Sequence, residues 1–123
     1  MAAREIPRLA LNFDDLRMVE SIVTAYLAYL RHFMARNSAT HRHGQIGVLY
    51  DLQTRLRAAR LSGNQEVELL LSLDELSALR DAVRGFIMLL RRTIAPSRSR
   101  DETIADLEKL CRELQRMLVL QAR

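Results

Sequence analysis

The sequence is poor in cysteine, glycine and aromatic residues. It has one cysteine, Cys111, which cannot form a disulfide within the chain. The four glycines form no phosphate-binding run. Apolar residues make up 49% of the 123 residues, which is enough for one continuous core. We therefore expect a single domain over residues 1–123 that folds through apolar packing.

The sequence also lacks long hydrophobic runs. The longest uncharged stretch in helical context, residues 21–30, is shorter than the roughly 18 residues that cross a bilayer. The charged N-terminus has no apolar core of the kind that a secretory signal requires. Together with the single cysteine, these features predict a cytoplasmic protein with no membrane partner.

No catalytic or metal-binding constellation is present in the sequence. The three histidines are His32, His41 and His43, and no Cys, Asp or Glu between Glu20 and Asp51 could complete a metal site with them. Cys111 falls on the apolar face of a predicted helix, which is typical of an inert thiol. We therefore expect no catalytic residues, no metal, no cofactor and no enzymatic activity.

The basic residues are almost all arginine, with one lysine, Lys109, among 19, and the formal net charge is +4. Two stretches without acids, residues 21–50 and 82–100, cover predicted helix ends and hairpin loops. One interpretation is that cations favour the negative ends of helix dipoles and that the loops are solvated. The other is that both loops combine into one basic surface for a phosphate-rich or acidic partner. The candidate residues for that surface are Arg31, Arg36, Arg42, Arg91, Arg92, Arg98 and Arg100.

The chain contains an internal duplication. A shift of 60 positions aligns residues 11–16 with residues 71–76 and continues along the following helix, and a shift of 58 aligns the second helix with the fourth. The duplication predicts one repeat over about residues 5–61, a linker at 62–65 and a second repeat over about 66–121.

Each repeat begins with an alternating apolar segment. The apolar positions are Leu9, Leu11 and Phe13 in the first repeat, and Val67, Leu69, Leu71 and Leu73 in the second. A period of two is typical of a strand. The first segment carries basic residues where the second carries acidic ones, which suits two paired strands. The sequence leaves open whether they pair.

Helix signals follow each of these segments. Ser72 and Glu75 match a capping box, with Asn12 and Asp15 as a looser copy, so helices should begin there and cover residues 13–35 and 73–95. We expect a second helix over 45–61 and a fourth that begins at a capping box at Ser99. The predicted fold is mainly α: a duplicated strand-helix-helix unit forming a pseudo-two-fold four-helix bundle with a short two-stranded β-ribbon.

The first and third helices have more apolar surface than one buried stripe needs. They could be central helices wrapped by their neighbours, or they could contribute a partner interface through Leu27, Tyr29, Met88 and Leu89. The second interpretation predicts a non-enzymatic assembly or adaptor subunit that works by protein–protein contact, as a homodimer. The alternative is a small accessory nucleic-acid-binding protein that uses the arginine-rich loops. The sequence does not identify the partner or the pathway.

Overall fold

The computed structural model describes residues 7–37 and 43–122, and for residues 33–37, 43, 44 and 122 it describes the backbone alone. The same order of elements occurs twice, one strand followed by two helices. The elements are β1 (Arg8–Asn12), α1 (Phe13–Asn37), α2 (His43–Leu61), β2 (Glu66–Leu70), α3 (Leu73–Thr93) and α4 (Arg98–Ala122). The mainly α fold, with four helices and a two-stranded ribbon, is confirmed. Of the seven candidate arginines, Arg36 has no described side chain and Arg42 lies outside the described residues.

The two strands pair antiparallel, which answers the question that the sequence left open. Leu9 pairs with Leu69, which is the residue that the duplication aligns with it. Both side chains are buried. Arg8 and Glu68 are diagonal neighbours across the ribbon, with 3.8 Å between Nη1 and Oε2, which confirms the complementary charges of the two strands. The alternation ends earlier than predicted, because Phe13 and Leu73 are exposed first residues of helices.

Helices α1 and α3 begin at matching positions of the two repeats. The backbone N–H of Asp15 donates to Oδ1 of Asn12 at 2.8 Å. At the second start, Ser72 and Glu75 form the complete capping box, with each side chain accepting from the other residue's backbone N–H at 3.1 and 2.9 Å. Both caps satisfy amides that have no partner within the helix. The predicted starts are confirmed.

The predicted start of α4 at Ser99 is wrong. The helix begins at Arg98, and the capping side chain is that of Ser97, whose Oγ accepts from the backbone N–H of Arg100 at 3.1 Å. Ser99 already lies inside the helix, with its carbonyl accepting from the Thr103 hydroxyl at 3.0 Å. Both serines have a side chain that can cap a helix, and Ser97, the residue directly before the helix, is the one that does so.

Helix α2 ends at Leu61 and is followed by a turn at Gly63. Gly63 has a φ of 78°, a left-handed conformation that a side chain disfavours. The backbone N–H of Ser62 donates to the carbonyl of Ala58 at 3.0 Å and closes the last turn. The chain then leads directly into β2.

The core lies between the two central helices, α1 and α3, which pack against each other. Leu16, Val19 and Val23 of α1 are fully buried, and so are their repeat equivalents Leu76, Leu79 and Val83 of α3. Helix α2 packs on both central helices, whereas α4 packs mainly on α3. The bundle seam is therefore confirmed, while the outer helices of the two repeats are packed unequally. As far as the structure describes them, the helices contain no segment long and apolar enough to span a membrane.

Candidate functional site

The two central helices are in contact at a glycine of α3. A Cβ atom at Gly85 of α3 would lie 2.3 Å from Cε1 of Tyr26 of α1, so the ring occupies the space that any larger residue would fill. The Tyr26 side chain is 4% exposed. Its ring stacks with that of Tyr29, with centroids 6.1 Å apart. The absence of a side chain at Gly85 therefore leaves room on α3 for the stacked tyrosine pair of α1.

A groove of about 540 Å3 opens beside this contact. Its apolar lining comes from Tyr26 and Tyr29 of α1 and from Gly85, Met88 and Leu89 of α3. We call this feature, together with Arg84 and Arg92 at its edge, the α1/α3 groove. Met88 is 55% exposed, Tyr29 is 39% exposed and Leu89 is half-buried. Three of the four residues of the predicted interface, Tyr29, Met88 and Leu89, thus line the same groove.

Leu27, the fourth residue of that set, does not lie on the surface. It is 3% exposed and belongs to the hydrophobic core. Because both α2 and α3 pack on α1, the buried face of this helix is wider than a single stripe. The interpretation of a central helix wrapped by its neighbours is therefore correct for Leu27 and for Ile22, which is also buried.

Among the described residues, Asp81 is the only carboxylate that lines the groove, and it already has partners. It accepts a hydrogen bond from Nε2 of Gln45 at 2.8 Å and lies 3.2 Å from Nη2 of Arg80. The exposed arginines at the edge, Arg84 and Arg92, have no carboxylate within ion-pair distance among the described residues. The groove therefore carries a positive charge that its own acid does not balance.

Arg84, Met88 and Arg92 form one ridge of α3. They stand four residues apart, so their side chains lie above one another on the same face of the helix. At 1.5 Å per residue, the two guanidinium-bearing residues are separated by about 12 Å along the helix axis. The ridge presents two cations with an exposed apolar side chain midway between them.

Three of the five arginines of the predicted basic surface whose side chains are described form ion pairs within the chain. Arg91 pairs with Glu108 at 3.2 Å, and Arg98 pairs with Glu102 at 3.0 Å. The Arg100 side chain, 16% exposed, lies 3.5 Å from a carboxylate oxygen of Asp101 and donates to the carbonyl of Ile94 at 3.1 Å.

The other two arginines of that set with described side chains differ from these. The guanidinium of Arg31 lies 5.7 Å from the ring centroid of Tyr50. Arg92 alone of the five has neither a carboxylate nor a ring partner among the described residues.

A second groove, about 450 Å3, is lined by residues of α4 and by Arg84 of α3. Its α4 residues include half-buried Cys111 and the exposed side chains Val119 and Leu120. Arg116 at its rim pairs with Glu113, and the hydrogen bond from Arg116 lowers the pKa of the Glu113 carboxyl. Arg84, which borders both grooves, was missed by the sequence, because helical spacing alone does not show which arginine lies beside an apolar groove.

Among the described residues, no group of three or more Cys, His, Asp or Glu side chains lies close enough together to hold a metal ion. His32 is exposed on α1. His41 lies outside the described residues, and the side chain of His43 is not described.

Comparison of the chain with protein-family models, curated proteins and solved structures finds no match. Its function is therefore inferred from its own residues.

Proposed function

We propose that the protein is a non-enzymatic helical adaptor or assembly subunit that binds a protein partner through the α1/α3 groove. The observation that carries the proposal is the exposure of Tyr29 and Met88 in one groove between the two central helices, beside the buried core. Burial of apolar surface contributes about 25 cal/mol per Å2, so a partner that covers these side chains gains stabilisation from both.

Affinity purification with quantitative mass spectrometry tests this proposal. Met88→Arg places a charge without a partner into the groove, and binding should be lost because a desolvated charge is costly in a dry interface. Leu61→Arg is the matched control, since Leu61 is an exposed apolar residue, 71% accessible, at the end of α2 and outside the groove. We expect proteins that co-purify with the natural chain and with Leu61→Arg but not with Met88→Arg. The same set recovered with all three baits would contradict the proposal.

Self-association is the form of this function that the sequence favours, and it remains a prediction. Light scattering at tens of micromolar measures it directly. A dimer that Met88→Arg dissociates would make a second copy the partner. A monomer would leave a different protein as the partner.

Nucleic-acid binding is the second candidate, and the two unpaired arginines of the ridge, Arg84 and Arg92, favour it. The ion pairs of Arg91, Arg98 and Arg100 weigh against it, because each would have to be broken or shared to neutralise a phosphate. A footprint of about four phosphates on duplex DNA predicts a log–log salt slope near −3.6. Filter binding at several salt concentrations, with Arg84→Gln/Arg92→Gln as the variant, separates this candidate from an apolar contact, because only nucleic-acid binding should show that slope and lose part of it in the variant.

A further inference from the structure

We infer that the partner of the α1/α3 groove is a protein segment that binds as an acidic amphipathic helix. Its two carboxylates lie about two helical turns apart and flank an apolar side chain that packs on Met88. The inference rests on the proposed function and specifies the chemistry of the partner.

The first support is the charge of the groove. Arg84 and Arg92 have no carboxylate partner among the described residues, while Asp81 is held by Arg80 and Gln45. Carboxylates on a bound segment would pair with both arginines at the rim of an apolar contact. Charge complementarity of this kind directs association and fixes the register of the two surfaces.

The second support is the repulsion that these arginines would cause in a symmetric dimer. A two-fold axis at Met88 would place Arg84 of each copy opposite Arg92 of the other. Like charges placed opposite each other across an interface disfavour the complex. The ridge therefore fits a partner of opposite charge better than it fits a second copy of itself.

The third support is the backbone of the walls. Both walls are helices, α1 and α3, whose backbone groups are paired within the helix. They offer no strand edge to an extended segment, which would have to bury its own N–H and C=O groups without partners. A helix satisfies those groups internally and can place acids at a spacing of seven or eight residues, which matches the roughly 12 Å of the ridge.

Fluorescence anisotropy with a designed probe tests the inference. The probe is a labelled, alanine-rich helical peptide of about 18 residues with two glutamates eight positions apart and leucines between them. The matched peptide replaces both glutamates by glutamine. The protein variants are Arg84→Gln/Arg92→Gln and the control Arg112→Gln, an exposed arginine on α4 that does not line this groove.

We expect the glutamate peptide to bind the natural chain about fivefold more tightly than the glutamine peptide, as two exposed ion pairs provide. The double variant should abolish this preference, and Arg112→Gln should keep it. Because both substituted arginines are exposed and unpaired, the urea unfolding midpoint of the double variant should match that of the natural chain. Equal binding of the two peptides, a preference that survives in the double variant, or no binding of either peptide would overturn the inference.

The same variants distinguish this inference from the proposed function. Partners that Met88→Arg loses should be recovered in clearly reduced amounts with Arg84→Gln/Arg92→Gln, because two exposed ion pairs change the affinity by about fivefold. If their recovery with the double variant equals that with the natural chain, or if the partner is a second copy, the groove still binds protein but the acidic helix is wrong. If only RNA or DNA is lost on substitution of the arginines, both proposals fail.

Discussion

Replacing Gly85 by alanine tests the close approach of the two central helices. Two effects oppose each other. Alanine favours the helix over glycine by about 1 kcal/mol in a helix interior. The added methyl group, however, would lie 2.3 Å from Cε1 and 2.8 Å from Cδ1 of the Tyr26 ring. Carbon atoms in contact are separated by about 3.5 to 4.0 Å, so the ring must move by about 1 Å or more.

The steric effect should win at Gly85. Tyr26 is a rigid, buried ring that stacks on Tyr29, so it cannot move without disturbing its neighbours. Overpacking of this kind costs about 1 to 3 kcal/mol, and the short distance places Gly85→Ala toward the upper end of that range. After the helix-propensity gain is subtracted, we expect a net loss of about 1 to 2 kcal/mol in the free energy of unfolding, measured by urea titration.

Gly47→Ala is the matched control for this substitution. Gly47 lies in α2, and nothing stands within 4 Å of the position of an added Cβ atom. The same chemical change should therefore stabilise the protein by up to about 1 kcal/mol. In a Tyr26→Ala background, Gly85→Ala should also become stabilising, because the ring is gone. If Gly85→Ala raises the stability of the natural chain as Gly47→Ala does, the argument for a close helix contact is refuted.

Three further substitutions test the cap, the core and the surface charges. Ser72→Ala removes the capping hydrogen bond of α3 and should cost about 1 kcal/mol of unfolding free energy in urea titration, and no loss would show that the cap is not needed. Leu49→Ala empties a fully buried position of α2 and should cost about 2 to 5 kcal/mol by the same measurement, and a cost within error of zero would contradict the described core. The pKa of Glu113 is lowered in the folded state by the hydrogen bond from Arg116, so its contribution is present above the usual pKa of a glutamate and is lost as the pH falls through the lowered value. Glu113→Gln should therefore give a slightly weaker loss of stability on acidification, and an unchanged pH profile would contradict the pair.

The local signals of the sequence predict most of the fold. The caps at Asn12 and Ser72 and the alternating strand residues each act within a few positions, so their effect can be read directly from the chain. The duplication adds long-range information, because Leu9 and Leu69, aligned by it, are partners in the ribbon. Ser97 was missed because Ser99, with Glu102 three residues later, matches the capping box, whereas Ser97 is followed at that position by Arg100.

The site is less predictable, because it depends on which helices meet. Leu27 and Met88 both lie in apolar stretches of central helices, so the sequence does not distinguish them. Leu27 is buried and Met88 is exposed because different neighbours pack on the two positions. The charge of the groove likewise depends on which arginines find a carboxylate. Arg91 finds Glu108 on α4, whereas its neighbour Arg92 faces the groove and has no carboxylate partner among the described residues.

Photo-cross-linking in cells that express the protein tests the central claim most directly. A photoreactive amino acid replaces Met88 in one variant and Leu61, which is exposed but outside the groove, in another. Adducts are then separated by size and identified by mass spectrometry. The proposed function predicts a defined protein adduct from position 88 and none from position 61. No protein adduct from position 88, or the same adducts from both positions, would contradict the assignment of the α1/α3 groove as a protein-binding site.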